Sequence, residues 1–170
     1  MIQAQSGLYR SDEGIVQFTS EAPLELIKAS STDLRGVIDP VENTFAFSID
    51  IKSFEGFNSD LQRTHFNENY LESLKFPRAT FSGKVIEKIN WDGEGEFDLR
   101  AKGLLNVHGI EQERIISSSV QLFPDRAFIR AEFDIRLKDH DIDIPKIVAQ
   151  KISEEIKVTI EITLFKQPSN

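Results

Sequence analysis

The chain has no cysteine, a single methionine, a single tryptophan and no long apolar run. Without thiols there are no disulfide staples, thiol nucleophiles or cysteine-type zinc sites, and the redox compartment stays open. No stretch approaches the roughly 20 apolar residues of a membrane-crossing helix, so the chain is not expected to be integral to a membrane. Positive charge is also scarce, since 28 Asp plus Glu outnumber 20 Lys plus Arg for a net charge of −8. Binding nucleic acid calls for clustered cations, so that partner is not expected. Around His65, His108 and His140 there is no His-x-x-x-His pair, no Gly-x-Ser-x-Gly elbow and no phosphate-binding Gly-rich loop. No catalysis, no metal and no cofactor is expected. His140 does stand among Asp139, Asp141 and Asp143, which could join it around a hard cation, but a solvated charged loop explains the run as simply.

What the chain has in abundance is period-two alternation. Phe45, Phe47, Ile49 and Ile51 face one way while Ala46, Ser48, Asp50 and Lys52 face the other, the pattern of a strand with one dry side. Phe97 to Val107, Ile129 to Leu137 and Ile156 to Leu164 repeat it. Weaker strands are expected over 14–20, 32–38, 79–89 and 114–123, with a short one near Leu8, giving eight or nine in all. Asp39-Pro40, Trp91-Asp92-Gly93, His108-Gly109 and Pro124-Asp125 mark tight antiparallel reversals, too short for parallel crossovers. A length of 170 residues suits one domain, here an all-β antiparallel barrel or sandwich; pattern alone does not choose.

Two helical insertions interrupt the strands. In RTHFNENYLESLKFPRATF, Arg63 to Phe81, the residues Phe66, Tyr70 and Leu74 recur at intervals of four, while Asn67, Glu68, Glu72 and Ser73 should face water. Asp60 and Asn67 are candidate caps, and Pro77 ends any helix before the next strand. The insert should cover an apolar edge or act as a lid. A second helical piece is expected from Pro145 to Ile152, with Ile147, Val148 and Ile152 on its apolar side. Ser30, Ser31 and Thr32 read as a polar break.

The inward row gives the candidate ligand wall: Phe18, Phe45, Phe47, Ile49, Phe81, Phe97, Leu99, Phe133 and Ile160. Such residues suit either a solid core or a pocket for a lipid chain, and alternation cannot tell filled from hollow. Thirteen phenylalanines against two tyrosines favour walls without polar handles. Arg63, His65, Phe66, Tyr70 and His108 are the candidate mouth or lid, with Asn106 and Arg63 in one polar cluster with the histidines. His108, ending a strand at a hairpin, can bond back to the turn.

Several of these segments together resemble the YceI-like family of lipocalin-like lipid and polyisoprenoid carriers. The resemblance rests on Arg63 and His65, then Phe76-Pro77 and Ala79-Thr80-Phe81, then Gly103, Leu105, His108 and Gly109, with Arg130 and Phe133 late in the chain. It spans residues 14–18 through the final strand. Two positions depart from the pattern: Asn106 stands where many relatives carry Thr, and the helix from Asn67 to Leu74 differs from the common type. The resemblance implies a single lipocalin-like antiparallel barrel of about eight strands. Its lumen would bind, store or transport a long-chain amphiphile such as a polyisoprenoid, an isoprenoid quinone or a fatty acyl lipid. A solid-cored interaction module of the cell envelope is the alternative, and a homodimer remains open. The resemblance also implies a periplasmic or secreted location, and Met1-Ile2-Gln3-Ala4-Gln5 reads as a start placed before a mature end from which a signal was removed. A cytoplasmic location stays open.

Overall fold

A computed structural model describes residues 7–168, and the Met1 to Gln5 segment lies outside the described residues. Eight antiparallel strands follow one another around a closed barrel: β1 (Tyr9–Glu21), β2 (Leu26–Asp39), β3 (Thr44–Asp50), β4 (Arg78–Val85), β5 (Gly95–Val107), β6 (Ile110–Leu122), β7 (Arg126–Arg136) and β8 (Glu155–Lys166). The expected short strand near Leu8 and the strand over 14–20 are one element, β1, bent by register shifts between Ser11 and Val16. The supposed polar break at Ser30 to Thr32 is also strand. There Ser31 is buried and its hydroxyl meets that of Ser53 at 2.6 Å, so a polar side chain is satisfied inside the sheet instead of interrupting it.

The two ends of the barrel differ. One end is closed by packing around Tyr9, Ile38, Phe45, Trp91, Leu99, Leu122 and Leu164, all buried. Trp91 lies in the β4–β5 connection and caps this end, its ring 5.8 Å from that of Tyr9. Asn43 ties the cap together: it accepts from Trp91 Nε1 at 2.9 Å and donates from Nδ2 to the carbonyls of Val85 and Glu87. Its backbone is left-handed, φ 60°, a conformation Asn tolerates at a hairpin better than most residues. Asp39 completes the turn by accepting from the Val41 and Glu42 amides.

The other end carries the long connections. Residues 51–77 hold a single turn at Ile51–Ser53, helix α1 (Asp60–His65) and a π-helical turn (Phe66–Tyr70), and residues 137–154 hold turns at Leu137–His140 and Lys146–Val148. Two opposite seams splay here. β2 and β3 pair only from Arg35/Ser48 to Asp39/Thr44, and β6 and β7 only from Ser118/Ala131 to Leu122/Ala127. The first seam is filled by the Ser30–Glu55 backbone bridge, and Gln112 Nε2 donating to the Asp139 carbonyl fastens the second. Between them β4 and β5 approach so closely that a Cβ on Gly83 would stand 2.0 Å from the Lys102 carbonyl oxygen and one on Gly103 2.1 Å from that of Ser82. Only glycine fits this facing pair.

At the closed end, Asn43→Ala leaves the Trp91 indole and two carbonyls without their partner and keeps the unfavourable φ, so urea unfolding should show a loss of about 3 kcal/mol. Burial pushes the Tyr9 phenol above 10.0, against the opposing pull of Lys166, while its hydroxyl donates to the Trp91 carbonyl at 2.8 Å. A raised folded value makes this contribution complete below the unfolded tyrosine value and lost as pH rises through the folded one. Stability measured upward from pH about 10 should therefore fall less steeply in Tyr9→Phe than in the parent.

Candidate functional site

Above the closed end the barrel is hollow, with a cavity of about 240 Å³. Its walls come from every strand, because each strand turns alternate residues inward. Ile162, Ile129 and Leu34 form the floor; Phe18, Phe47, Ile49, Phe81, Phe133 and Ile160 stand along the sides; Phe57, Tyr70, Leu71, Leu137, Ile142 and Ile152 surround the open end. Phe47, Phe81, Phe133 and Ile160 point inward yet are only half-buried, since they border space instead of neighbours. Small side chains make that space: Ala101, Ala131 and Ser118 stand where a larger residue would meet the opposite wall.

Three of the expected wall residues lie elsewhere. Phe45, Phe97 and Leu99 do not border the cavity but belong to the packed core, because they occupy the ends of β3 and β5 beside the Trp91 cap. Phe45 sits 4.9 Å, ring to ring, from Phe81 and so supports the wall from behind. Alternation identifies which side of a strand is dry; it does not say how far along the axis the packing ends.

The insert crosses the open end as expected, with a changed register. Ser59, not Asp60, caps α1, its hydroxyl accepting from Gln62 N at 3.1 Å. Asn67 does not cap either; its Nδ2 donates to the Arg63 carbonyl. The next turn is π-helical, with Leu71 N reaching back to Phe66 O at 2.9 Å, and the added residue rotates the chain beyond it. Leu71 therefore lines the cavity, whereas Leu74, expected beside Phe66 and Tyr70, is 85% exposed, and Ser73, expected in water, is 2% exposed. In the second insertion the helix is reduced to one turn, leaving Ile147 exposed while Ile152 reaches the cavity.

Phe66 anchors the lid to the barrel. Its ring stacks on Phe18 of β1 at 5.3 Å and lies 4.9 Å from Phe57 and 6.0 Å from Phe54. Each such contact adds about 0.5–1.5 kcal/mol beyond buried area. Nearby, Gln62 Nε2 donates to the Glu25 carboxylate and Asn58 Nδ2 to the Leu26 carbonyl, joining α1 to the β1–β2 hairpin. Tyr70 completes this wall, its phenol pushed up by burial.

The far root of the lid is held by His108. His108 and Gly109 are both left-handed, φ 56° and 73°, as a two-residue hairpin joining Val107 to Ile110 requires. Nδ1 donates to the His140 carbonyl at 2.9 Å and Nε2 meets a Glu72 carboxylate oxygen, while Phe76 packs edge-on at 4.9 Å. A Cβ at Gly109 would fall 2.4 Å from that phenylalanine ring. His140 is itself buried, with Nδ1 against the Ile110 carbonyl at 3.0 Å, so it ties the β7–β8 connection to the hairpin instead of joining the aspartates beside it. The expected polar cluster is thus divided. Arg63 is exposed and donates to the Lys52 carbonyl, His65 is exposed on α1, and Asn106 is held in the β4–β5 ladder opposite Thr80; none of them meets His108. Glu72, the partner that His108 does find, carried no signal in the sequence beyond its charge.

Among the described residues no helix is long and apolar enough to cross a membrane, and no group of three His, Asp or Glu is placed to hold a metal ion.

A model of the YceI-like domain family matches residues 14–164. No curated protein matches the sequence. Among solved structures, the chain is similar to a polyisoprenoid-binding domain from Saccharophagus degradans implicated in plant cell wall breakdown, with 14% identity, a TM-score of 0.76, and coverage of 96% of this chain and 100% of that one. It is similar to BcnA of Burkholderia cenocepacia at 12% identity and TM-score 0.72, covering 89% and 95%. It is also similar to the YCEI protein of Campylobacter jejuni at 18% identity and TM-score 0.64, covering 84% and 86%.

The role of His108 as a fastener can be separated from its role in the turn. Asparagine suits a two-residue hairpin of this kind but cannot reach both Glu72 and the His140 carbonyl. His108→Asn should cost about 1–2 kcal/mol and raise amide exchange across residues 59–76, with the β4–β5 ladder still protected; unchanged exchange in the insert would refute the fastening.

Proposed function

This chain belongs to the YceI-like family, and we propose that its lumen binds and carries one long-chain amphiphile, a polyisoprenoid, an isoprenoid quinone or a fatty acyl lipid. The observation that carries the reading is the 240 Å³ cavity, closed at one end and walled almost wholly by apolar side chains. It exceeds the ~150 Å³ apolar void that accepts one benzene, and its lining runs from Leu34 and Ile162 at the floor to Tyr70 and Ile152 at the open end. The few polar side chains at its edge, Ser20, Ser48, Gln62, Tyr70, Thr80 and Ser118, include no histidine, aspartate or glutamate, and the reading involves no chemical step. Transfer of a hydrocarbon chain into such a wall is favourable by about 0.8 kcal/mol per methylene, so a long tail alone supplies ample affinity. The similarity to a polyisoprenoid-binding domain supports the ligand class, and the proposed setting is the periplasm or a secreted fraction, where water-soluble carriage of lipids between membranes is needed.

Extraction of the purified protein into organic solvent followed by mass spectrometry should recover a long-chain lipid, and quinone or acyl probes should bind. Recovery of nothing, with no probe binding, would end the reading. A variant that fills the cavity provides the matching control. Ala131 borders the lumen, so Ala131→Phe should weaken binding of acyl probes by about tenfold or more while thermal stability holds or rises.

A further inference from the structure

The splayed seam between β6 and β7 holds a charged group that the lumen does not account for. On β6 the even-numbered residues turn inward: Ile116, Val120 and Leu122 are buried, and Ser118 borders the cavity. Arg114 shares that side and is half-buried. It lies above the last β6–β7 pair, Ser118 with Ala131, where the two strands have parted. Opposite it on β5 stands Gly103, which offers no side chain to fill the space. The guanidinium carbon lies 5.6 Å from the centre of the Phe133 ring, and Phe133 is part of the cavity wall.

Arg114 combines an inward position with the absence of a carboxylate partner. Arg78, Arg100 and Arg130 each meet a carboxylate, Asp50, Glu87 and Glu161 respectively. Among the described residues Arg114 has no ion pair and no hydrogen bond, only the aromatic face of Phe133. The carboxylates of the two flanking strands point away, and Asp139, whose carbonyl meets Gln112 at the same seam, is exposed and makes no ion pair with Arg114. Glu111 and Glu113 lie on the outer side of β6, with Glu113 at Lys102; Glu132 and Asp134 lie on the outer side of β7, with Glu132 at Lys157. A protein of net charge −8 has thus left one cation facing inward at the edge of an apolar chamber, without an anion. Partial burial of a charge without a partner is unfavourable, and an incoming anion would relieve it.

We propose that Arg114 is the headgroup subsite of the lumen, taking a single-chain amphiphile with an anionic head, carboxylate or phosphate, whose tail passes Phe133 into the cavity. The planar fork of the guanidinium suits both heads. The seam gives the head access to water while the tail is dry. This inference rests on the carrier reading above.

Palmitate, hexadecyl phosphate and hexadecanol share one chain length and differ in the head. Their displacement of a fluorescent acyl probe from the parent, Arg114→Gln and Arg114→Lys tests the subsite. At least one anion should bind the parent about tenfold more tightly than hexadecanol, against the repulsion of the overall charge. Arg114→Gln should remove that preference while hexadecanol affinity stays within about twofold, and Arg114→Lys should retain part of it. The stronger of the two anions identifies the head. Equal binding of all three by the parent, a preference that survives in Arg114→Gln, or a fall in hexadecanol affinity as large as that of the anions would overturn the subsite and leave the carrier standing. Failure of all three to bind the parent would overturn the carrier reading itself.

Discussion

Inward side chains that must meet across a closed ring of eight strands set the central constraint, because the ring is wider than those side chains fill unless they are uniformly large. This chain meets it differently at its two ends. Near the Trp91 cap the inward residues are large and reinforced by an indole, a phenol and an asparagine that consumes its own donors and acceptor. Further up the axis, alanines and serines alternate with phenylalanines and the packing stops. The closed end can supply most of the stability, which frees the upper wall to remain unfilled.

The splayed seams arise from the same geometry. A sheet that is drawn tight where Gly83 faces Gly103 must open elsewhere, and it opens between β2 and β3 and between β6 and β7, four strands apart. Each opening is managed by a connection from the same end of the barrel. The strand-like segment at Glu55 restores backbone pairing on one side, and His140 and Asp139 take up Ile110 and Gln112 on the other. The lid then bridges the two. Its aromatic anchor at Phe66 and its polar anchor at His108 act through different physics: one depends on apolar area, the other on the fit of two acceptors to one imidazole.

The all-β class and most reversals were legible because period-two alternation and turn chemistry are local signals. His108-Gly109 is a good example, since a left-handed pair flanked by alternating strands has few other readings. The choice of barrel over sandwich came from the family resemblance, and the tight reversal expected at Trp91-Asp92-Gly93 is instead a connection spanning 86–94. The end-to-end division of the core was not legible. Phe45 and Phe47 are two residues apart and equally apolar, yet one is packed and the other borders the lumen, a difference set by Trp91 and by strand tilt. The lid failed in a narrower way. Counting by four from Phe66 reaches Leu74, but one π-helical hydrogen bond transfers the apolar role to Leu71 and buries Ser73. Arg114 was visible as an inward position by parity, but its lack of a carboxylate depends on where four acidic side chains point in three dimensions.

Every strand pairing except one joins neighbours in sequence; the exception is β1 with β8, where Tyr9 meets Lys166 and Thr19 meets Lys157. Kinetically this divides folding into many short-range steps and one distant ring closure, which carries most of the chain-entropy barrier. Before that closure the chain is a curled sheet with two bare edges and an exposed apolar concavity. During synthesis β8 is the last of the eight strands to leave the ribosome, so this open form persists until β8 is released. A cell making this protein therefore needs protection for that interval, and truncations of the final strand should be far more prone to self-association than equal losses from the lid.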